Sequence, residues 1–415
     1  MKIKLSKTTI LNILFVLLCC SLIHQFIKQL FFIYGYNSYG ISEYLTNYQG
    51  GFVRRGLLGE ILFFFANRFS FDVEWAIKII CAIFFIVVVA FFVKSFLKKG
   101  YSLYLLPLCF FFGGMITGNY FNFWIRKDFV MLTFFIAILL IFNRQNIILW
   151  IKAVFINVLA IFIILNHESF AFFSLPVLFF LFFNSFENKK LVSSFSLAAL
   201  CLLPSILTFL LVCITHGNQA TAQAIWDSWQ ILSFGKTSDV PLGCSIGAIG
   251  WNTFDTVKLL SSINFITIDN RIISIFVWIV TFPVIYYIVT NTLFVFRKTP
   301  DNFTEKHKTV LSTIILFQFI CLLPLFLFLS CDYGRVIFYL IASSFAVFLI
   351  FPADILAKNI PLVILQKVEK FNNAFPKANK TIIAILMLVT GFSPVFFNIE
   401  FAYKSTMLYQ VLNFI

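Results

Sequence analysis

The chain has 415 residues, of which 61% are hydrophobic and only 12% charged, with 59 phenylalanines and a mean hydropathy of +0.96. A soluble globular protein carries roughly 25% charged residues to cover its surface, so this composition excludes one. The formal net charge of +14 does not point to nucleic acid. No dense basic run with interleaved aromatics lies outside the apolar segments, and Lys and Arg accumulate in the cytoplasmic loops of membrane proteins.

The N-terminus, MKIKLSKTTILNILFVLLCCSLIHQFI, begins like a secretory signal. Its apolar run is too long for the core of a signal peptide, and no small-x-small cleavage site follows, so a retained first membrane helix is expected. Apolar runs of spanning length then recur along the chain. They predict an all-α polytopic membrane protein with about eleven transmembrane helices, near residues 8–33, 74–97, 101–118, 129–143, 147–165, 169–184, 191–214, 272–295, 309–330, 336–353 and 381–398. The whole of 1–415 reads as one integral membrane domain, without an internal repeat. Nine cysteines lie mostly inside the apolar runs and form neither a CxxC pair nor a disulfide framework.

With eleven spans, the basic connections all alternate onto one side. They hold Lys2, Lys4 and Lys7, then Lys94, Lys98 and Lys99, Arg144, Lys189 and Lys190, Arg297 to Lys308, and Lys358 to Lys380. The positive-inside rule makes that side, and the N-terminus, cytoplasmic. The opposite side receives two longer loops with short interfacial helices, about 34–73 and 215–271, and the short connections near 119–128, 166–168 and 331–335. Every polar cluster that is not a topology signal falls there.

The first such cluster is YQGGFVRRGLLGE, Tyr48 to Glu60. Arg54 and Arg55 break the positive-inside rule on that face. Two adjacent guanidiniums before a helix start suit a phosphate or pyrophosphate, because Arg offers a fixed bidentate fork; the plainer alternative is a lipid headgroup or a loop carboxylate. LLGEILFFFANRFS reads as an interfacial amphipathic helix, with Glu60 either part of the site or a cap. In FWIRKDF, Arg126 joins the anion site with Asp128 orienting it, or snorkels beside Trp124. In LNHESF, His167 and Glu168 form a proton-accepting unit or a helix-turn cap. In SCDYGRVIF, Asp332 and Arg335 stand at i and i+3, a local salt bridge or a pair reaching phosphate and sugar. The second long loop, around Trp226 and Asp227, suits sugar stacking or membrane-surface contact equally.

No Walker motif, Rossmann fingerprint, HExxH or nucleophile elbow occurs; no cofactor is expected, and a divalent metal stays open without a motif to support it. Arginines, a His, carboxylates and aromatic loops on one face suit transfer of a sugar from a lipid-linked phosphate donor. The arginines would stabilise the leaving phosphate, and His167, Glu168, Asp332 or Glu60 would deprotonate the acceptor. The substrate-binding set is Arg54, Arg55, Arg126, Arg335, Trp226 and Asp227.

In its Phe-rich helices, outer-face arginines and His/Glu pair, the chain resembles the bacterial O-antigen polymerases. That resemblance implies joining of undecaprenyl-pyrophosphate-linked repeat units outside the inner membrane, alongside polysaccharide chain-length or export proteins. In its long loops after the first and seventh spans it also resembles the C-type membrane glycosyltransferases, which use a polyprenyl-phosphate sugar and an acidic residue of the first outer loop. Here that loop offers Glu43, Glu60 and Asp72 without the paired acids often found there. Loop placement favours the second resemblance, the His and arginine set the first. A lipid-linked-oligosaccharide flippase predicts repeats and charges deep in the spans, and few are present; a non-catalytic envelope scaffold is the fourth alternative.

Overall fold

The computed structural model describes residues 7–106, 108, 123–232, 239–241, 243–251, 253–265, 274–296, 305–330, 332–391 and 399–415. Among these the regular elements are helices, without a strand. In chain order they are α1 (Lys7–Phe31), α2 (Tyr39–Leu45), α3 (Leu57–Arg68), α4 (Val73–Lys98), α5 (Asp128–Phe142), α6 (Leu149–Ile164), α7 (Ser169–Ser185), α8 (Leu191–Ile214) and α9 (Gln219–Ser228). They continue with α10 (Thr253–Phe265), α11 (Ser274–Val295), α12 (Glu305–Pro324), α13 (Tyr333–Ile350), α14 (Ala353–Asn359), α15 (Leu362–Asn373), α16 (Lys380–Val389), α17 (Ile399–Lys404) and α18 (Met407–Leu412).

Among the described residues six helices are long and apolar enough to cross a membrane: α1, α4, α8, α11, α12 and α13. Four further apolar helices, α5, α6, α7 and α16, have 10–17 residues, which at 1.5 Å per residue is less than a hydrocarbon core of ~30 Å. The expected spans therefore fall on apolar helices at ten of the eleven positions, four of them shorter than a full crossing. The eleventh, 101–118, lies mostly outside the described residues, as does the second half of 381–398.

α13 is the axis of the bundle. Every residue from Tyr333 to Leu349 is buried, against α5, α12, α7 and α4. A helix apolar all round must be enclosed on all sides, and here its neighbours supply that enclosure. The outer helices instead turn large apolar side chains outward, among them Ile83 and Ile86 of α4, Val154 and Val158 of α6, and Leu207 and Leu210 of α8. These are the surfaces that a bilayer would cover.

One end of the bundle carries Lys98 and Lys99, at the end of α4. Lys99, just after α4, reaches the Phe348 carbonyl near the end of α13, and Asn143 after α5 reaches the Ile350 carbonyl. The other end carries the two long connections. There Glu74 of α4 accepts the Tyr34 and Gly35 amides, at 2.9 and 3.1 Å, while buried Lys78 donates to the Phe32 carbonyl. Those bonds fix where the chain leaves α1 and enters α2.

The two connections dock on each other. Trp229 Nε1 donates to the Leu45 carbonyl at 2.7 Å, the Ser245 amide donates to Ser42 Oγ, and Asn47 Nδ2 to Ser228 Oγ. α3 begins at Leu57, where the sequence placed an amphipathic helix, and exposes Phe64, Phe65 and, just beyond it, Phe69. It crosses α2 at Gly59, where a Cβ would stand 1.8 Å from the Thr46 carbonyl oxygen.

Because that obstacle is backbone, Gly59→Ala should force α2 and α3 apart and cost about 3 kcal/mol, seen as a fall in the thermal melting temperature of the detergent-purified protein. An unchanged melting temperature would contradict the close crossing.

Candidate functional site

Five segments bring their polar residues to the loop-bearing end of the bundle: α2, the Arg54–Arg55 loop, the turn before α5, the α6–α7 junction and the start of α13. Their centre is Glu43 of α2, fully buried. Arg126 Nε meets Glu43 Oε2 at 2.6 Å, and His167 Nε2 lies 3.2 Å from Oε1. Arg335 Nη2 lies 3.9 Å from the same oxygen. Burial by itself would raise the Glu43 carboxyl, but Arg126, the His167 hydrogen bond and Arg335 together hold it well below the usual carboxylate range.

Arg335 is shared between carboxylates. Its Nε donates to both oxygens of Asp128 at 2.9 and 3.0 Å, and its Nη1 to Asp332 Oδ2 at 3.3 Å. Tyr339, one turn further along α13, donates its hydroxyl to Asp128 Oδ1. The i, i+3 pairing of Asp332 and Arg335 is thus present. Asp128, expected to orient Arg126, holds Arg335 instead. As the first residue of α5 it also sits where a helix dipole favours a carboxylate. Arg126 is oriented by Glu43, lies 4.0 Å from Asp332, and packs its guanidinium over the Tyr39 ring at 4.5 Å.

The loop before α3 closes over this floor. Arg55 has φ +67°, the one non-glycine residue with positive φ among the described residues, a conformation that side chains other than glycine rarely adopt. Three contacts hold it. Arg55 Nη2 and Nε grip Glu168 at 2.5 to 3.1 Å, and Lys127 Nζ donates to the Arg55 carbonyl at 3.0 Å. Lys127 also donates to the Asn166 carbonyl, and Asn166 Oδ1 accepts the Leu58 amide at 2.7 Å. Arg54 is held more loosely, 3.6 Å from Glu168, with its side chain 26% exposed.

His167 and Glu168 do not act as one unit. His167 Nδ1 is 3.9 Å from Glu168 and accepts the Ser169 amide at 3.2 Å. The proton is therefore assigned to Nε2, facing Glu43. Burial first, and Arg55 second, push the imidazole down to about 4, so it is neutral at pH 7. Burial alone would raise the Glu168 carboxyl, but Arg55, in contact with it, and Arg54 hold it well below the usual carboxylate range. Burial also lowers Lys127, to about 8.

Three expected site residues lie apart from this network. Glu60 accepts the Tyr48 amide and Gln49 Nε2, at 2.8 and 2.9 Å, and so ties α3 to the chain before it. The Trp226 ring is buried, which removes it as an open stacking surface for a sugar. Asp227 is exposed on α9 and accepts Gln223 Nε2. Sequence reasoning passed over Lys127, Tyr39 and Tyr339 as site residues, and offered Glu43 only as one of three first-loop acids beside Glu60 and Asp72. Besides that loop placement, the local signal for Glu43 was an acid alone in an otherwise uncharged stretch, YGISEYL.

Arg54, Arg55, Arg126, Lys127 and Arg335 face Glu43, Asp128, Glu168 and Asp332, so the network carries one more cation than anions when His167 is neutral. Its floor is closed; its rim is partly open, through Arg54, Arg55, Glu168 and Asp332, whose side chains are 15–26% exposed. No three His, Cys, Asp or Glu side chains among the described residues group as metal ligands. A helical membrane protein with a buried ion-pair network under a strained loop is the class that fold and site define. Comparison with protein-family models, curated proteins and solved structures finds no match for this chain.

The low His167 value sets a pH dependence. An unfolded His titrates near 6.5, so between that value and about 4 the unfolded chain binds the proton and the folded one does not. Stability is fully present above pH 6.5 and lost as pH falls toward 4, by on the order of 3 kcal/mol. Glu43 and Glu168 add loss only below the ordinary carboxylate range. Melting temperature followed from pH 7.5 to 5 should fall in the wild type and fall less in His167→Gln; parallel curves would contradict the assignment.

Proposed function

We propose that the protein is a membrane glycosyltransferase that takes a saccharide from an undecaprenyl-(pyro)phosphate-linked donor at the outer face of a bacterial inner membrane. The observation that carries this reading is the rim just described: two arginines and two carboxylates, partly exposed, over a buried network with one excess positive charge. Lys98 and Lys99 at the opposite end of the bundle support outer-face placement.

In this reaction the bond between the donor sugar's anomeric carbon and the phosphate oxygen breaks, and a bond from that carbon to an acceptor hydroxyl oxygen forms. The bond's electron pair stays on the phosphate, where Arg54 and Arg55 stabilise it. The hydroxyl proton goes to a carboxylate. Asp332 suits that role best, being 22% exposed and oriented by Arg335. Neutral His167 has its accepting nitrogen occupied by the Ser169 amide, and so positions Glu43 rather than taking the proton.

The arginine set and His167 favour polymerisation of polysaccharide repeat units, with chain-length or export proteins as partners. One observation favours the second reading, a C-type transferase adding a single sugar from a polyprenyl phosphate: the acid at the centre of the network, Glu43, comes from the first outer loop.

Arg54→Ala and Asp332→Asn should each lower transfer by about 100-fold or more while the protein remains in the membrane. A gel of surface polysaccharide reads both this and the product. Single-repeat glycans in the deletion strain indicate a polymerase; full-length chains lacking one sugar per repeat indicate the single-sugar transferase. Wild-type glycans from both variants would overturn the site, and accumulation of inward-facing lipid-linked units would indicate a flippase.

A further inference from the structure

We infer that Glu168 is a built-in counter-anion which occupies the Arg54/Arg55 pair before substrate binds and is exchanged for the phosphate or pyrophosphate of the lipid-linked donor. The inference rests on the donor reading above and adds how the site admits its substrate.

Three observations converge on it. Glu168 presents two carboxylate oxygens to Arg55 in the geometry a phosphate would use, with Nε and Nη2 both engaged at 2.5 to 3.1 Å. Its second arginine contact, to Arg54 at 3.6 Å, is longer than a hydrogen bond and partly open. Arg54 therefore has bonding capacity directed at the place where Glu168 now sits. The loop that presents both arginines is held in a strained form, with Arg55 at φ +67°, and beside the Glu168 grip it has two backbone anchors that do not involve Glu168. Lys127 holds the Arg55 carbonyl, and Asn166 holds the Leu58 amide. Removing the carboxylate from the arginines thus leaves the loop backbone in place with two guanidiniums unpaired. Glu168 itself stands at the entry to α7 with its side chain 15% exposed.

A half-buried arginine pair without an anion is costly, so the pair needs a counter-charge before substrate binds. A carboxylate with one negative charge meets that need and yields to a pyrophosphate, which carries more charge and more acceptor oxygens, or to the phosphate monoester that transfer releases. The exchange makes the site selective: a ligand with a single carboxylate gains nothing over Glu168.

The test measures binding of farnesyl phosphate and of inorganic phosphate to the detergent-purified full-length protein. Glu168→Gln, which keeps the shape and removes the charge, should bind farnesyl phosphate about tenfold or more tightly than wild type. Glu168→Asp, which keeps the charge, should stay within about threefold of wild type. Tightening of inorganic phosphate by the Gln variant to the same degree supports the exchange with free phosphate as its partner. Equal or weaker binding by the Gln variant, or equal tightening by Gln and Asp, overturns it. In the wild type, saturating farnesyl phosphate should alter amide exchange at residues 54–58, and unchanged exchange there overturns the inference whether or not the Gln variant folds. Tighter binding in a protein whose Arg54 and Asp332 variants retain full transfer would leave the exchange standing and remove the glycosyltransferase reading.

Discussion

A carboxylate with no access to solvent is stable only if cations and hydrogen-bond donors surround it, and Glu43 is such a carboxylate. Its partners come from three places far apart in the chain: Arg126 before α5, His167 between α6 and α7, and Arg335 in α13. Meeting that requirement brings the ends of four apolar helices to one point. Arg335 then needs Asp128 and Asp332, and Asp128 takes Tyr339 as well. The network spreads from one buried charge until each member has a partner.

The same requirement explains why the first long connection is folded rather than loose. α2 must enter the bundle to deliver Glu43, so its ends are fixed by Glu74 on one side and by the crossing of α3 at Gly59 on the other. What remains between α2 and α3 is a short loop with room for two arginines at its rim. Buried charge at the floor and partly exposed charge at the rim are thus two layers of one structure. The floor fixes geometry, and the rim is where a ligand can meet it.

Much of the fold was legible because apolar runs of spanning length have few alternatives in sequence. The start of α3 at Leu57 and the gathering of the polar clusters at one end were legible too, the latter from charge counting alone. Partners were not. Arg55 and Glu168 are 113 residues apart and Arg335 and Asp128 are 207, and no local pattern specifies such a pair. Sequence proximity also misled: His167 and Glu168 are neighbours whose side chains serve different arginine-linked groups, and Asp128 stands two residues from Arg126 yet binds Arg335. Trp226 looked like an exposed loop aromatic because nothing local reports that α9 packs on the first connection. Glu43 was visible as an acid but not as the centre, since its importance comes entirely from what folds around it.

The central claim, that Glu43 is the shared counter-charge on which the site is built, is tested most directly by a double-mutant cycle on thermal or denaturant stability. Glu43→Gln and Arg126→Gln should each destabilise the purified protein by roughly 3–5 kcal/mol, because each leaves a buried charge unpaired. The double variant should cost clearly less than their sum, with a coupling energy of about 2 kcal/mol. Costs that simply add would mean that the two side chains do not depend on each other, and would contradict the account.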